Sequence, residues 1–294
     1  MDAYDVTTTS PPTSPLFRVK AKGAINRGQL NGGLAMSGSD LSVGTYDKGY
    51  WYDEVWSPAP TSKASKAKYA CKGSSKLPEL YYGANAASAS ALYNSDYYKF
   101  GGISVFKYPF AGGKCPKAAS STLYDAAVYA GYGIAAMFAS QSGNLYVAYY
   151  TSNGQGAIDE FPAGSTTPTS LGLLPSEFNY SNNEIGSLAV DSLGHLIVTT
   201  GYEDCNVRVF EGNPGGTFLT QLSTTFIGAC GGDGFGVAGV TLDASEGRIF
   251  IGDYYNELIE VVTYDASAGT GTYAYYFSEP YRPVSVAVEP VDTF

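Results

Sequence analysis

One phrase recurs at intervals of about fifty residues, and it constrains the fold more than any other feature of the chain. It reads AAMFASQSGNLYVAYY (135–150), GSLAVDSLGHLIV (186–198) and AGVTLDASEGRIFIGDYY (238–255). Each copy is an apolar run, a polar turn containing glycine (Gly143, Gly194, Gly247), and a second apolar run. Two apolar runs joined by such a turn form a β-hairpin. A third run follows each hairpin, AIDEFPAG (157–164), NVRVFEGN (206–213) or ELIEVVTYD (257–265). A fourth run completes each unit: TSLGLL (169–174), LTQLSTTFIG (219–228) and TYAYYF (272–277). Four short antiparallel strands per repeat, with no helical period, make the blade of a β-propeller.

Earlier in the chain the pattern is looser. GLAMSGSDLSVGTYD (33–47) and YWYDEVWS (50–57) read as three strands of one unit. AKYACKG (67–73) with PELYYGAN (78–85) reads as the first pair of the next, completed by GISVFKYPFAGG (102–113) and STLYDAAVY (121–129). PVSVAVEP (283–290) looks like a first strand whose blade LFRVKAKGAI (16–25) would complete, since shared chain ends leave no open sheet edge. The expectation is an all-β propeller of six four-stranded blades, one of them shared between the two ends. Residues 1–15, rich in Pro, Thr and Ser, are expected to be an extended linker, and residues 16–294 one domain.

Composition narrows the partners. A formal charge of −10 without any basic cluster argues against nucleic acid and anionic membranes. No apolar stretch is long enough to suggest a membrane span. The first residues lack the charged start and apolar stretch of a secretory leader. Four cysteines (Cys71, Cys115, Cys205, Cys230) and one histidine, without a C-x-x-C pair, exclude a His/Cys zinc site. The even count, with few lysines and many Tyr, Gly and Ser, favours disulfides and an extracellular or periplasmic location. From their strand positions the expected pairs are Cys71–Cys115 and Cys205–Cys230.

The phrases VDSLGHLIVTTGYEDCNVRVFEG and SQSGNLYVAYYTSNGQGAIDEFPAG resemble NHL-type propeller repeats of secreted bacterial proteins. The resemblance is clear over 131–290, weaker over 31–130, and absent from the first fifteen residues. It implies a fold shared with gluconolactonases, strictosidine synthases and streptogramin lyases, and leaves function open.

Chemistry is sparse along the chain. His195 stands where the sister units have Asn144 and Arg248, which marks a solvated turn position. Asp191 and Asp243 end first strands, where a carboxylate accepts turn amides. GFGVAG (234–239) has the spacing of a dinucleotide motif but opens a strand, so no helix N-terminus is there to hold a pyrophosphate. Neither a nucleophile elbow nor a triad is present.

Polar and aromatic residues concentrate in loops leaving the second strands and entering the first. On one rim these would gather Tyr46, Trp51, Tyr149, Tyr150, Tyr202, Asp253, Tyr254, Tyr255 and Arg282. Aromatic rings beside carboxylates suit a glycan or an extracellular protein surface. The expected function is therefore a non-catalytic binding module that needs no cofactor. The alternative is a metal-dependent lactonase, esterase or lyase, in which Glu184, Asn183 and Asp233 would offer oxygen ligands of the kind calcium takes. The Glu-Gly-Pro opening of lactonases and the histidines of the lyases are missing.

Overall fold

The structure is a computed structural model. It describes residues 2–5, 10–18, 34–37, 39–47, 50–72, 85–95, 102–124, 133–181, 185–200, 206–226, 237–243, 245–254, 256–279 and 285–288. Within them lie five four-stranded antiparallel sheets, each with its strands in chain order. Blade 1 is β3 (Leu34–Ser37), β4 (Asp40–Asp47), β5 (Tyr50–Trp56) and β6 (Tyr69–Lys72). Blade 2 is β7 (Asn85–Ala87), β8 (Ala91–Ser95), β9 (Gly102–Lys107) and β10 (Ser121–Tyr124). Blade 3 is β11 (Ile134–Ala139), β12 (Leu145–Tyr150), β13 (Gly156–Phe161) and β14 (Thr169–Leu173). Blade 4 is β15 (Ile185–Val190), β16 (His195–Thr200), β17 (Asn206–Glu211) and β18 (Thr220–Phe226). Blade 5 is β19 (Val237–Leu242), β20 (Arg248–Asp253), β21 (Leu258–Asp265) and β22 (Thr270–Ser278). The first strands β3, β7, β11, β15 and β19 lie against one another in that sequence, as the inner strands of a propeller do.

The blade count corrects the sequence expectation: five four-stranded blades are present, not six. Among the described residues, the chain ends build no shared sheet. Phe17–Arg18 (β2) pairs instead with Asp2–Ala3 (β1), so the N-terminal stretch folds back on itself. Residues 285–288 form no strand, yet they occupy the gap between the last and first blades. Val286 and Val288 pack on the Phe250, Ile259, Val261 and Phe277 cluster of blade 5, and Ala287 packs on Leu41, Val43 and Trp56 of blade 1. The Leu34 amide donates to Ser285 Oγ at 3.0 Å. Gly239 permits this approach, because a Cβ there would lie 2.7 Å from Ser285 Cα. Apolar side chains on a single extended segment therefore cover both flanking faces without a sheet between them. Tyr4 reinforces the last blade, its ring 4.8 Å from that of Phe277 and its hydroxyl donating to Glu279 Oε2 at 2.9 Å.

The strand assignment near residue 70 also changes. Tyr69–Lys72 is the outer strand of blade 1 rather than the first strand of blade 2. The disulfide Cys71–Cys115 is present, with Cα atoms 5.4 Å apart. It joins β6 of blade 1 to the segment between β9 and β10, so it staples two blades instead of closing one. Cys205 and Cys230 lie outside the described residues.

One register repeats through all five blades. An aliphatic residue of the second strand faces an apolar residue of the third: Leu41–Trp56, Leu92–Phe106, Leu145–Phe161, Leu196–Phe210 and Ile249–Val262. The last four pairs pack toward the preceding blade and form the seams of the molecule. In the hairpin turns, Gly143 and Gly194 have φ of 101° and 89°, which side-chain-bearing residues rarely adopt. The turn of blade 5 places its positive φ on Glu246 instead, and that carboxylate accepts from the Ser192 amide and hydroxyl of blade 4, both at 2.7 Å.

Candidate functional site

Of the residues singled out from the sequence, Tyr46, Trp51, Tyr149, Tyr150, Asp253 and Tyr254 are among the described residues, and the structure deals with them unequally. Tyr46 and Trp51 are cross-strand partners in the β4–β5 hairpin, one step before the Asp47–Tyr50 pair. This hairpin keeps its ladder one pair farther than β12–β13, which ends at Tyr150–Gly156. Asp253 and Tyr254 close the second strand of blade 5, with Tyr254 half-buried. Tyr202, Tyr255, Arg282, Glu184, Asn183 and Asp233 lie outside the described residues.

Tyr149 and Tyr150 are packed within the seams. Tyr149 belongs to the cluster between blades 2 and 3, and its hydroxyl donates to Asp159 Oδ1 at 3.3 Å. Tyr150 lies between blades 3 and 4, edge-on to Tyr180 at 5.6 Å, with its oxygen accepting from the Ile185 amide at 2.5 Å. Adjacent strand residues point to opposite faces, and in a propeller both faces are covered by neighbouring blades. Their rings consequently serve cohesion between blades.

Asp253 is also buried, at 6% exposure. Its Oδ1 accepts from the Asn256 amide at 3.1 Å and its Oδ2 from the Asn256 side-chain amide at 2.6 Å. This carboxylate braces the turn that carries Tyr254.

The opposite rim explains the variable turn position. Asp191 Oδ1 accepts from the Leu193 and His195 amides at 3.0 and 2.8 Å, as expected of a turn carboxylate. His195 Nδ1 lies 2.8 Å from Asp191 Oδ2, and the Tyr264 hydroxyl of blade 5 donates to the same oxygen at 2.8 Å. Burial, together with the charged acceptor, pushes the Tyr264 hydroxyl well above the ordinary tyrosine range. In blade 5 the equivalent Arg248 directs Nε to Asp243 Oδ2 at 2.9 Å, and in blade 3 Asn144 donates to Glu160 at 2.9 Å. Asn, His and Arg thus play the same part, tying the hairpin turn to a carboxylate. Ser192, the hydroxyl nearest His195 in the chain, gives its proton to Glu246 Oε2 rather than to the imidazole.

A set of polar residues escaped the sequence reading. Two positions before each apolar third-strand residue of the repeated register stand Glu54, Ser104, Asp159, Arg208 and Glu260. By strand alternation they share the face turned to the preceding blade. Glu54, Ser104, Asp159 and Glu260 are each only 2% exposed. In blade 4 the guanidinium of Arg208 pairs with Glu177 at 2.5 Å and stands 5.1 Å over the Phe178 ring. In blade 5, Glu260 lies beside Asp253. The motifs DEVW, ISVF, IDEF, VRVF and IEVV held the clue, since each puts a polar residue at one sheet position.

Among the described residues, no group of three or more His, Cys, Asp or Glu side chains could hold a metal ion. No described helix is long and apolar enough to cross a membrane.

No protein-family model matches the chain, and no curated protein does. Solved structures do resemble it. A protein from Lactobacillus plantarum aligns over 97% of both chains with a TM-score of 0.59 and 13% identity. A putative 6-phosphogluconolactonase from Bacteroides fragilis matches at a TM-score of 0.55 and 13% identity, covering 86% of this chain and 71% of its own. The periplasmic gluconolactonase of Pseudomonas aeruginosa matches at 0.55 and 14%, covering 85% and 70%. At such identities the likeness is one of fold, and the chain is a β-propeller with lactonase-like structural neighbours.

Proposed function

We propose that the protein is a non-catalytic binding propeller which takes a glycan or a protein surface on the rim where its second strands end. The observation that carries this reading is the state of Asp253. It is a carboxylate at that rim, buried, and both its oxygens are spent on holding the Asn256 turn in place. A group so engaged positions the half-buried Tyr254 and offers no free base to a substrate. The inner strands agree: LAMS, NAA, IAAMFA, IGSLAV and VAGVTL contain no ionisable side chain, so they present apolar, hydroxyl and amide groups to the axis.

The lactonase-like neighbours favour a second reading, a metal-dependent hydrolase with ligands Glu184, Asn183 and Asp233. The two readings differ in how energy is distributed. For a binding surface, Tyr254→Ala and Trp51→Ala should each weaken retention on a glycan array by about 0.5–1.5 kcal/mol, a few-fold in affinity, with or without EDTA. Chelator-sensitive hydrolysis of a sugar lactone, lost in Glu184→Gln with the fold intact, would replace this reading by the hydrolytic one.

A further inference from the structure

Blade 5 sets two acidic side chains side by side in its seam with blade 4. Asp253 ends β20 opposite Leu258, and Glu260 lies two residues along β21 from Leu258. The two carboxyls are therefore diagonal neighbours on one sheet face, within reach across a strand pair. That face is turned to blade 4, because Ile249, Ile251 and Val262 on the same side pack against Ala189, Ile197, Val207 and Val209. Glu260 is 2% exposed, and its Oε2 is buried without a hydrogen-bond partner.

Among the described residues, the elements packed around Glu260 bring it no cation. From β22, Tyr276 stands opposite Glu260 and Tyr273 opposite Val262, which adds two phenols to the face. The strands of blade 4 packed on it, β16, β17 and β18, have His195, Arg208 and Glu211 as their only charged or titratable residues. His195 is held at the far end by Asp191, and Glu211, exposed, pairs with His195 in register. Arg208 points away, to Glu177 and Phe178 of blade 3. Two neighbouring buried carboxyls cannot both ionise cheaply, so Glu260, the one with an unsatisfied oxygen, keeps its proton. Burial first, then the charge of Asp253 and the hydrogen bond between the two groups, push the Glu260 carboxyl up to about 7.

We propose that Asp253 and Glu260 form a one-proton carboxyl pair whose second ionisation loosens the seam between blades 4 and 5 and, through Asp253, the Asn256 turn at the rim. The pair is a pH-responsive latch, closed in mild acid. It operates whatever the rim binds. The direction follows from linkage. The folded state holds a proton on Glu260 that the unfolded chain has already released, so stability falls as pH rises from the ordinary glutamate range through about 7.

The test is thermal unfolding from about pH 4 to about pH 8.5 for the wild type, Glu260→Gln and Asp253→Asn, a window that brackets the folded and unfolded ionisations. The wild type should lose melting temperature across this range. Glu260→Gln, which keeps the shape and cannot ionise, should flatten the profile and melt above the wild type at the alkaline end. Asp253→Asn should shift the fall to higher stability at alkaline pH, though less cleanly, because it removes one acceptor from Asn256. Amide exchange at Asn256 should accelerate in the wild type beyond the intrinsic pH effect and not in Glu260→Gln. Parallel profiles for the wild type and Glu260→Gln would overturn the latch. If the variants fail to fold, carbon NMR of the Glu260 carboxyl in the wild type decides: titration near neutrality supports the pair, and titration in the ordinary glutamate range overturns it.

Discussion

Blades 4 and 5 put a guanidinium and a carboxylic acid at the same register position, and the carboxyls there, Glu177 beside the guanidinium and Glu260 itself, bind their protons in opposite senses on folding. In blade 4 the position is Arg208, whose guanidinium has the Glu177 carboxylate at 2.5 Å and the Phe178 ring beneath it. Partial burial works against the ionisation of Glu177, but its own backbone amide and Arg208 outweigh that and hold the carboxyl below the ordinary range. Stability from this pair is present above the unfolded glutamate range and is lost as pH falls through the lowered folded value. In blade 5 the position is Glu260, next to another carboxyl and raised to about 7, so its seam weakens as pH rises. One backbone frame thus accepts either charge, and the neighbouring side chains decide whether it is matched.

Four measurements would break or sharpen that contrast. Arg208→Glu should have the largest effect, because it sets a carboxylate against Glu177 in a seam where Arg208 is only 11% exposed. Leaving an uncompensated buried charge costs about 3 kcal/mol or more, visible as a drop in the denaturant midpoint. A loss under about 1 kcal/mol would mean that the seam between blades 3 and 4 tolerates like charges, and the contrast with blade 5 would collapse. The Glu260 profile comes next. Neutralising that carboxyl should recover on the order of 3 kcal/mol at alkaline pH, since its titration moves from 4.5 to about 7 on folding and each pH unit corresponds to about 1.4 kcal/mol. Tyr264→Phe removes the hydroxyl that ties blade 5 to Asp191 of blade 4 and should cost about 1 kcal/mol independent of pH below the tyrosine range. A pH-dependent loss would assign part of the response to this rim instead of to Glu260. Glu177→Gln should be the mildest, about 0.5 kcal/mol and reduced by salt, because Glu177 is 43% exposed.

How much of this was readable in advance differs from residue to residue. The hairpin glycines Gly143 and Gly194 and the turn carboxylates Asp191 and Asp243 followed from local order along the chain, whereas the Cys71–Cys115 pair was matched from a strand placement that the fold replaces, since it joins two blades. Asp253, by contrast, reads as a rim residue because it ends an apolar strand before two tyrosines. Its burial depends on blade 4 and on Glu260, seven residues away on the next strand. Tyr149 and Tyr150 fared likewise, since a tyrosine at a strand end looks the same whether open to solvent or covered by the adjoining blade. Asp253 and Tyr254 stand together because they are consecutive in the chain, and the fold adds only that the first is buried and the second half-buried. The seam carboxyls were not legible as a pair, because alternation on a strand buried on both faces gives no direction.

Repetition every fifty residues was enough to determine the blade, its four strands and its hairpin turns, because each unit satisfies its own backbone hydrogen bonds through contacts close in sequence. The number of blades and the closure between the last and the first were decided only in three dimensions. Residues 283–290 and 16–25 look equally fit to pair, but Phe17–Arg18 finds Asp2–Ala3 nearer along the chain, and Val286, Ala287 and Val288 cover the two flanking faces from a segment that forms no sheet. The charge relationships at Arg208 and Glu260 were likewise decided there. They are set by which side chains of a neighbouring blade come within a few ångströms, and packing of one blade against the next is the single property that a blade's own sequence does not contain.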